Sequence, residues 1–195
     1  FNSVAMIDAD GSLLGTYRKT HIPDSDGYLE KYYFNPGDSG FKVWDTRYGK
    51  VGVGICWDQW FPETARSMAL LGAEILLFPT AIGSEPSQPQ MDSMPAWRNA
   101  MCGHAATNIM PVVASNRIGK EDAQHRDLSV TFYGSSFICD ASGDVVQQAD
   151  RETQSVLIHT FDLDAVRDQR QSWGLFRDRR PEQYKLINTL DGQLK

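Results

Sequence analysis

The stretch VGVGICWDQWFPE, Val51 to Glu63, constrains this chain more than any other. Val51 to Ile55 is an apolar run of β-branched residues and glycine, which predicts a buried strand. Pro62-Glu63-Thr64 predicts a helix start, because proline fits the first helical turn. Cys56 stands between them, followed at once by Trp57 and Asp58. A thiol at the exit of a buried strand, on the turn into a helix, is held rigidly and aimed at open space, as a nucleophile requires. A free cysteine also serves as a small buried hydrophobe. Position alone leaves both readings open.

The rest of the chain frames this stretch. Ser3 to Lys19 reads as a β-hairpin around the turn cluster Asp8 to Ser12. Ile22 to Gly40 is a long polar loop, with a short helical turn around Tyr28 to Tyr33; loops of this length in compact domains are often functional. Strands are predicted at 41–45, 50–55, 73–78 and 111–115, and helices from Pro62 to Gly72 and from Pro95 to Asn108. Residues 117–130 read as a polar, exposed excursion. A hairpin over 134–148, a strand over 155–161 and a short helix over 163–171 complete the core. One domain is expected over 1–195, with 174–195 as its charged carboxyl-terminal tail. Strands alternating with helices, flanked by hairpins, predict a layered α/β fold with a mixed sheet. Ligands in such folds gather at the carboxyl ends of strands. Lys19, Cys56, Pro79-Thr80 and Asn116 each follow an apolar strand closely, which places them on one rim.

Composition narrows the function. With 41% hydrophobic residues in 195, the chain can bury one sizeable core. A net charge of −6 without any block of like charge argues against a nucleic-acid partner. The cysteines, at 56, 102 and 139, include no CxxC pair, so no zinc site and no cofactor are expected. Sparse free thiols suit a reducing compartment, so a cytoplasmic location is expected. No apolar run approaches the ~20 residues of a membrane span. The chain starts at Phe1, inside a segment (SVAMID) that already reads as a core strand. A domain rarely starts there, so this sequence is expected to be the carboxyl-terminal part of a longer protein.

A cysteine nucleophile needs partners. Of the histidines, His104 falls on an apolar helix face and reads as a core residue, His159 points out of a strand, and His125 lies in the polar excursion. His21, two residues past Lys19, is the one near a strand end, and nothing else supports a Cys–His pair. A lysine beside a reacting carbonyl donates to the oxyanion and lowers a thiol pKa, and Lys19 is placed for that, although most lysines are simply solvated. Glu30 lies in the aromatic-rich segment Leu29 to Phe34 and reads locally as an exposed loop acid.

Taken in order, Tyr17-Arg18-Lys19-Thr20-His21-Ile22-Pro23, Leu29 to Asp38, and Gly54 to Glu63 resemble the carbon–nitrogen hydrolase (nitrilase) superfamily. The likeness continues through Gly72-Ala73-Glu74, Pro79 to Gly83, Asn108 and Val112 to Arg117. It implies a four-layer α-β-β-α sandwich, lacking its amino-terminal part here, and a Glu–Lys–Cys triad. Cys56 matches the nucleophile, Lys19 the triad lysine and Glu30 a second glutamate, while the backbone N–H of Trp57 would serve the oxyanion. The family's general-base glutamate falls before Phe1. The resemblance also implies a homo-oligomer and hydrolysis of a C–N bond in a small molecule. Members acting on N-carbamoyl amino acids carry arginines just after the nucleophile. Asp58-Gln59-Trp60 stands there instead, which suits a cationic carbamoyl amine. Trp57, Asp58 and Thr80 are therefore expected at the substrate, with Glu85 holding a distal ammonium. Another superfamily amidase, or a catalytically incomplete subunit, is the alternative.

Overall fold

The computed structural model describes residues 1–124 and 127–193. Strands β1 (Ser3–Ile7), β2 (Leu13–Arg18), β3 (Val43–Thr46) and β4 (Gly49–Val53) precede helix α1 (Pro62–Leu70). Strand β5 (Ile75–Thr80) leads to helix α2 (Met94–Asn108), then β6 (Val112–Asn116), β7 (Ile118–Asp122) and β8 (Ser129–Tyr133). Strands β9 (Phe137–Cys139) and β10 (Val145–Gln148) and helix α3 (Leu163–Trp173) follow. The main sheet runs β10-β9-β6-β5-β4-β3. Its centre, β4-β5-β6, is parallel, and its flanks are antiparallel.

The alternation in VGVGI sets what each face of this sheet carries. Val51, Val53 and Ile55 point to one side, where they meet Tyr17, Trp44 and Leu77 and, from the β1–β2 hairpin, Val4, Met6 and Leu14. The other side belongs to Met68 of α1, Trp97 and Met101 of α2, and Leu76, Phe78, Val112 and Phe137 of the sheet. The glycines face those helices. A Cβ on Gly52 would stand 2.9 Å from Met68 Sδ, and one on Gly54 3.2 Å from Thr64 Cγ2, so glycine is what lets α1 close on the sheet. The described residues thus form helix, sheet and hairpin layers, and the parallel strands all end at one rim.

Two sequence expectations need correction. Residues 117–130 are not a plain excursion: β7 and β8 pair antiparallel from Ile118–Tyr133 to Asp122–Ser129. Residues 155–161 form no strand; the segment lies exposed along most of its length, and no strand among the described residues pairs with its backbone. The tail after α3 contains short 3-10 turns at Pro181–Gln183 and Lys185–Asn188. No helix among the described residues is long and apolar enough to cross a membrane.

Candidate active site

Cys56 opens a 3-10 turn, Cys56–Trp60, directly beyond β4. Its φ is +44°, a left-handed backbone that a side chain rarely adopts and that costs on the order of 1–3 kcal/mol. Surrounding bonds must hold it there. Asp58 supplies most of them. Its fully buried carboxylate accepts the Ile55 N–H (2.9 Å), the Tyr17 hydroxyl (2.8 Å), the His21 N–H (3.0 Å) and His21 Nδ1 (2.8 Å). Gln59, also fully buried, takes the Trp97 indole N–H on Oε1 at 2.6 Å, while its backbone carbonyl meets His104 Nε2 at 2.7 Å. The elbow is thus tied to β2, the loop after it, and α2.

Lys19 follows β2 and is fully buried, unlike most lysines. Its backbone is fixed on both sides: its N–H donates to Asn2 (2.8 Å) and its carbonyl accepts from Gly37 (2.7 Å). Gly37 has to be glycine for this contact, since a Cβ there would stand 2.1 Å from the Arg18 carbonyl oxygen. The ammonium is held by both oxygens of Glu30, at 2.8 and 2.7 Å. Asn2 Nδ2 adds a bond to the same carboxylate at 3.3 Å. Burial pushes the Cys56 thiol up; the Lys19 charge and the backbone of Ala81 pull it down, while Glu30 and Asp58 oppose them. The thiol donates weakly to the Ala81 carbonyl, at 3.8 Å.

The rim beyond β5 and β6 is equally fixed. The Asn116 side chain accepts the Ile82 N–H (2.9 Å) and donates to the Ile82 (3.0 Å) and Gly134 (2.8 Å) carbonyls. The Tyr28 hydroxyl accepts the Gly83 N–H at 2.9 Å, which connects the Glu30 loop to the same rim. Burial pushes Tyr28 up to about 12, and the charges of Glu85 and Cys56 act in the same direction. A cavity of about 1060 Å³ opens here, lined by Tyr28, Glu30, Ala81, Arg117 and Phe132 among others. Glu85 is half-buried, is not among the lining residues, and accepts from the Ser93 hydroxyl at 3.3 Å. The buried Tyr133 hydroxyl has no hydrogen-bond partner among the described residues. Burial raises its pKa, with Glu85 among the charges that add to the shift.

The structure therefore brings Lys19, Glu30 and Cys56 together and leaves the Trp57 ring partly exposed next to them. Two expected substrate contacts are corrected. Asp58 cannot meet a ligand, because its carboxylate is buried and already bound by Ile55, Tyr17 and His21. The Thr80 hydroxyl is spent inside, on Gln59 Oε1 and the Phe78 carbonyl, both at 3.1 Å. His21 turns to Asp58 and stacks on Phe61 at 3.6 Å rather than pairing with Cys56. His104 is the core residue expected, and burial lowers its pKa. His159 is exposed, and His125 lies outside the described residues. Among the described residues no three of His, Cys, Asp and Glu gather as a metal site. Sequence reasoning missed Tyr17 and Tyr28. Tyr17 carried a signal: it stands two residues before Lys19 in a segment that the sequence reads as one strand, which predicts both on the same side.

A cysteine elbow, a buried lysine paired with a half-buried glutamate, and a layered α/β fold define a single class. The chain belongs to the carbon–nitrogen hydrolase family, whose model matches residues 1–171. It is 59% identical to an N-carbamoylputrescine amidase of Arabidopsis thaliana, covering 100% of this chain and 66% of the relative. It is 63% identical to a citrullinase of Francisella tularensis, over 96% of this chain and 65% of the relative. A carbon–nitrogen hydrolase structure from Helicobacter pylori superposes with a TM-score of 0.90 at 41% identity, over 97% of this chain and 66% of that one. The chain thus spans about two thirds of the length of the proteins it matches.

Proposed function

We propose that this chain carries the thiol site of an amidohydrolase that cleaves N-carbamoylputrescine to putrescine, carbon dioxide and ammonia. The observation that carries the reading is the strained Cys56 elbow set beside the buried Lys19 and its partner Glu30. The Cys56 thiolate attacks the carbamoyl carbon. Lys19 and the Trp57 N–H face the oxyanion that forms; a donor of this kind lowers the barrier by about 3–4 kcal/mol. The C–N bond to the diamine breaks, and the amine leaves with a proton, which leaves a carbamoyl thioester on Cys56. Water, deprotonated by the glutamate that the family resemblance implies, then releases carbamate, which decomposes to carbon dioxide and ammonia. The reaction would sit in putrescine formation, and the family resemblance suggests a homo-oligomer.

Substrate charge supports the diamine. Glu85 is the carboxylate assigned to the distal ammonium, because its charge reaches both Tyr28 and Tyr133 at the rim. The exposed Trp57 ring offers a cation–π surface. Arg117 favours a second reading, citrulline: it lines the cavity and would meet an α-carboxylate, although it is paired with Glu121 at 2.6 Å.

The test is ammonia release by the intact protein from N-carbamoylputrescine, N-carbamoylbutylamine and citrulline. The diamine derivative should give the highest kcat/KM, and Glu85→Gln should raise its KM far more than that of the uncharged analogue. Equal effects on both would remove Glu85 from the site, and no ammonia from any of the three would sink the hydrolase reading.

A further inference from the structure

We infer that Asp58 is a positioning residue, a buried staple that holds the Lys19 segment against the Cys56 elbow, with His21 as its main lever. The geometry is specific. Oδ2 takes Tyr17 and Ile55, while Oδ1 takes both the backbone N–H and the ring Nδ1 of His21. Tyr17 and His21 flank Lys19, two residues away on either side. Ile55 and Asp58 flank Cys56, one residue before it and two after. One carboxylate therefore bonds both sides of the junction between lysine and nucleophile. The His21 ring, stacked on Phe61 at 3.6 Å and 4°, cannot swing without breaking that stack. It must carry its proton on Nδ1 to face the carboxylate. An amide in place of Asp58 would offer one acceptor oxygen to donors that now use two, leaving buried N–H or O–H groups unmatched.

Position and charge act oppositely on the thiol, which makes the claim testable. The charged groups acting on Cys56 are Lys19, Glu30 and Asp58 itself. Deleting the Asp58 charge alone would favour the thiolate. Loosening Lys19 would disfavour it. The proposal rests on the thiol-hydrolase reading of the site, but its readout, alkylation of Cys56 by iodoacetamide as a function of pH, needs no substrate. Labelling is followed at the Cys56 peptide by mass spectrometry in the intact protein, so that Cys102 and Cys139 do not interfere.

In Asp58→Asn the alkylation midpoint should rise by about one pH unit, or about tenfold slower labelling below it. The kcat should fall about tenfold, with KM nearly unchanged, as for loss of a contact that acts in the transition state. His21→Ala should move both in the same direction, and His21→Asn, whose side-chain N–H replaces Nδ1–H, should restore them. If Asp58→Asn does not fold, the two His21 variants decide. A midpoint that is unchanged or lower in Asp58→Asn, or His21→Ala and His21→Asn that label alike, would overturn the proposal. If the wild-type protein labels as expected but hydrolyses no carbamoyl amine, the substrate reading fails and the staple stands.

Discussion

The two sides of the cleft are built differently. On the Cys56 side, Asp58 and Gln59 are fully buried and bonded to distant parts of the chain. On the Glu30 side, Leu29, Tyr32 and Tyr33 are exposed, and the loop is fastened at a few points: Lys19, Asn2 and the Tyr28 hydroxyl on Gly83. The difference follows from what each side must hold. A left-handed Cys56 costs conformational energy and needs a closed network to persist. Glu30 needs only to meet one ammonium, and a loop can supply that. Rigidity here is placed at the residue proposed to form the bond.

The largest effect expected is from Cys56→Ala. It should abolish ammonia release, by roughly 10⁴-fold or more. The melting temperature should barely change, because the thiol makes one weak contact at 3.8 Å. A large loss of stability instead would make the thiol structural and erase the contrast. Lys19→Met should come next, slowing turnover by about 10²–10³-fold. It should also destabilise the protein, since Glu30 loses its buried partner. Tyr28→Phe probes the looser side. It keeps the ring and removes the acceptor for Gly83, so about 1 kcal/mol of stability should go, with a severalfold fall in kcat. A loss as large as that of Lys19→Met would mean that the Glu30 loop is as closely braced as the elbow.

The smallest effect reads the elbow's back wall through pH. His104 has its pKa lowered from 6.5 by burial, although its bond to Gln59 opposes the shift. Above 6.5 the ring is neutral in both folded and unfolded chains, and it adds no pH dependence. As pH falls through 6.5 the unfolded chain takes up the proton and the folded one does not, so stability declines until the folded pKa is passed. Each unit of separation is worth about 1.4 kcal/mol. Thermal melts from neutral to mildly acidic pH should show this decline, and His104→Gln, which keeps a donor near the Nε2 position, should flatten it.

Much of this was legible in the residues. The VGVGI alternation, the parallel strands around it, and the placing of Lys19, Cys56 and Asn116 on one rim follow from local pattern. The direction of the Asp58 side chain does not. Its partners Tyr17 and His21 lie 41 and 37 positions away, so a carboxylate two residues after the nucleophile looks locally like a substrate contact. Strand β7 was hidden because four of its five residues are exposed, which leaves no period-two signal. Residues 155–161 failed the other way: an apolar run looks like a strand, but strands exist only where a neighbour can pair, and no sequence window contains the neighbour.

The central claim is that Cys56 attacks the substrate with Lys19 beside it. Acid-quenching the intact protein during turnover of N-carbamoylputrescine, followed by peptide mass spectrometry, tests it directly. A carbamoyl group is expected on the peptide containing Cys56, greatly reduced in Lys19→Met. A carbamoyl group on Cys102 or Cys139 instead, or sustained turnover by Cys56→Ala, would contradict it.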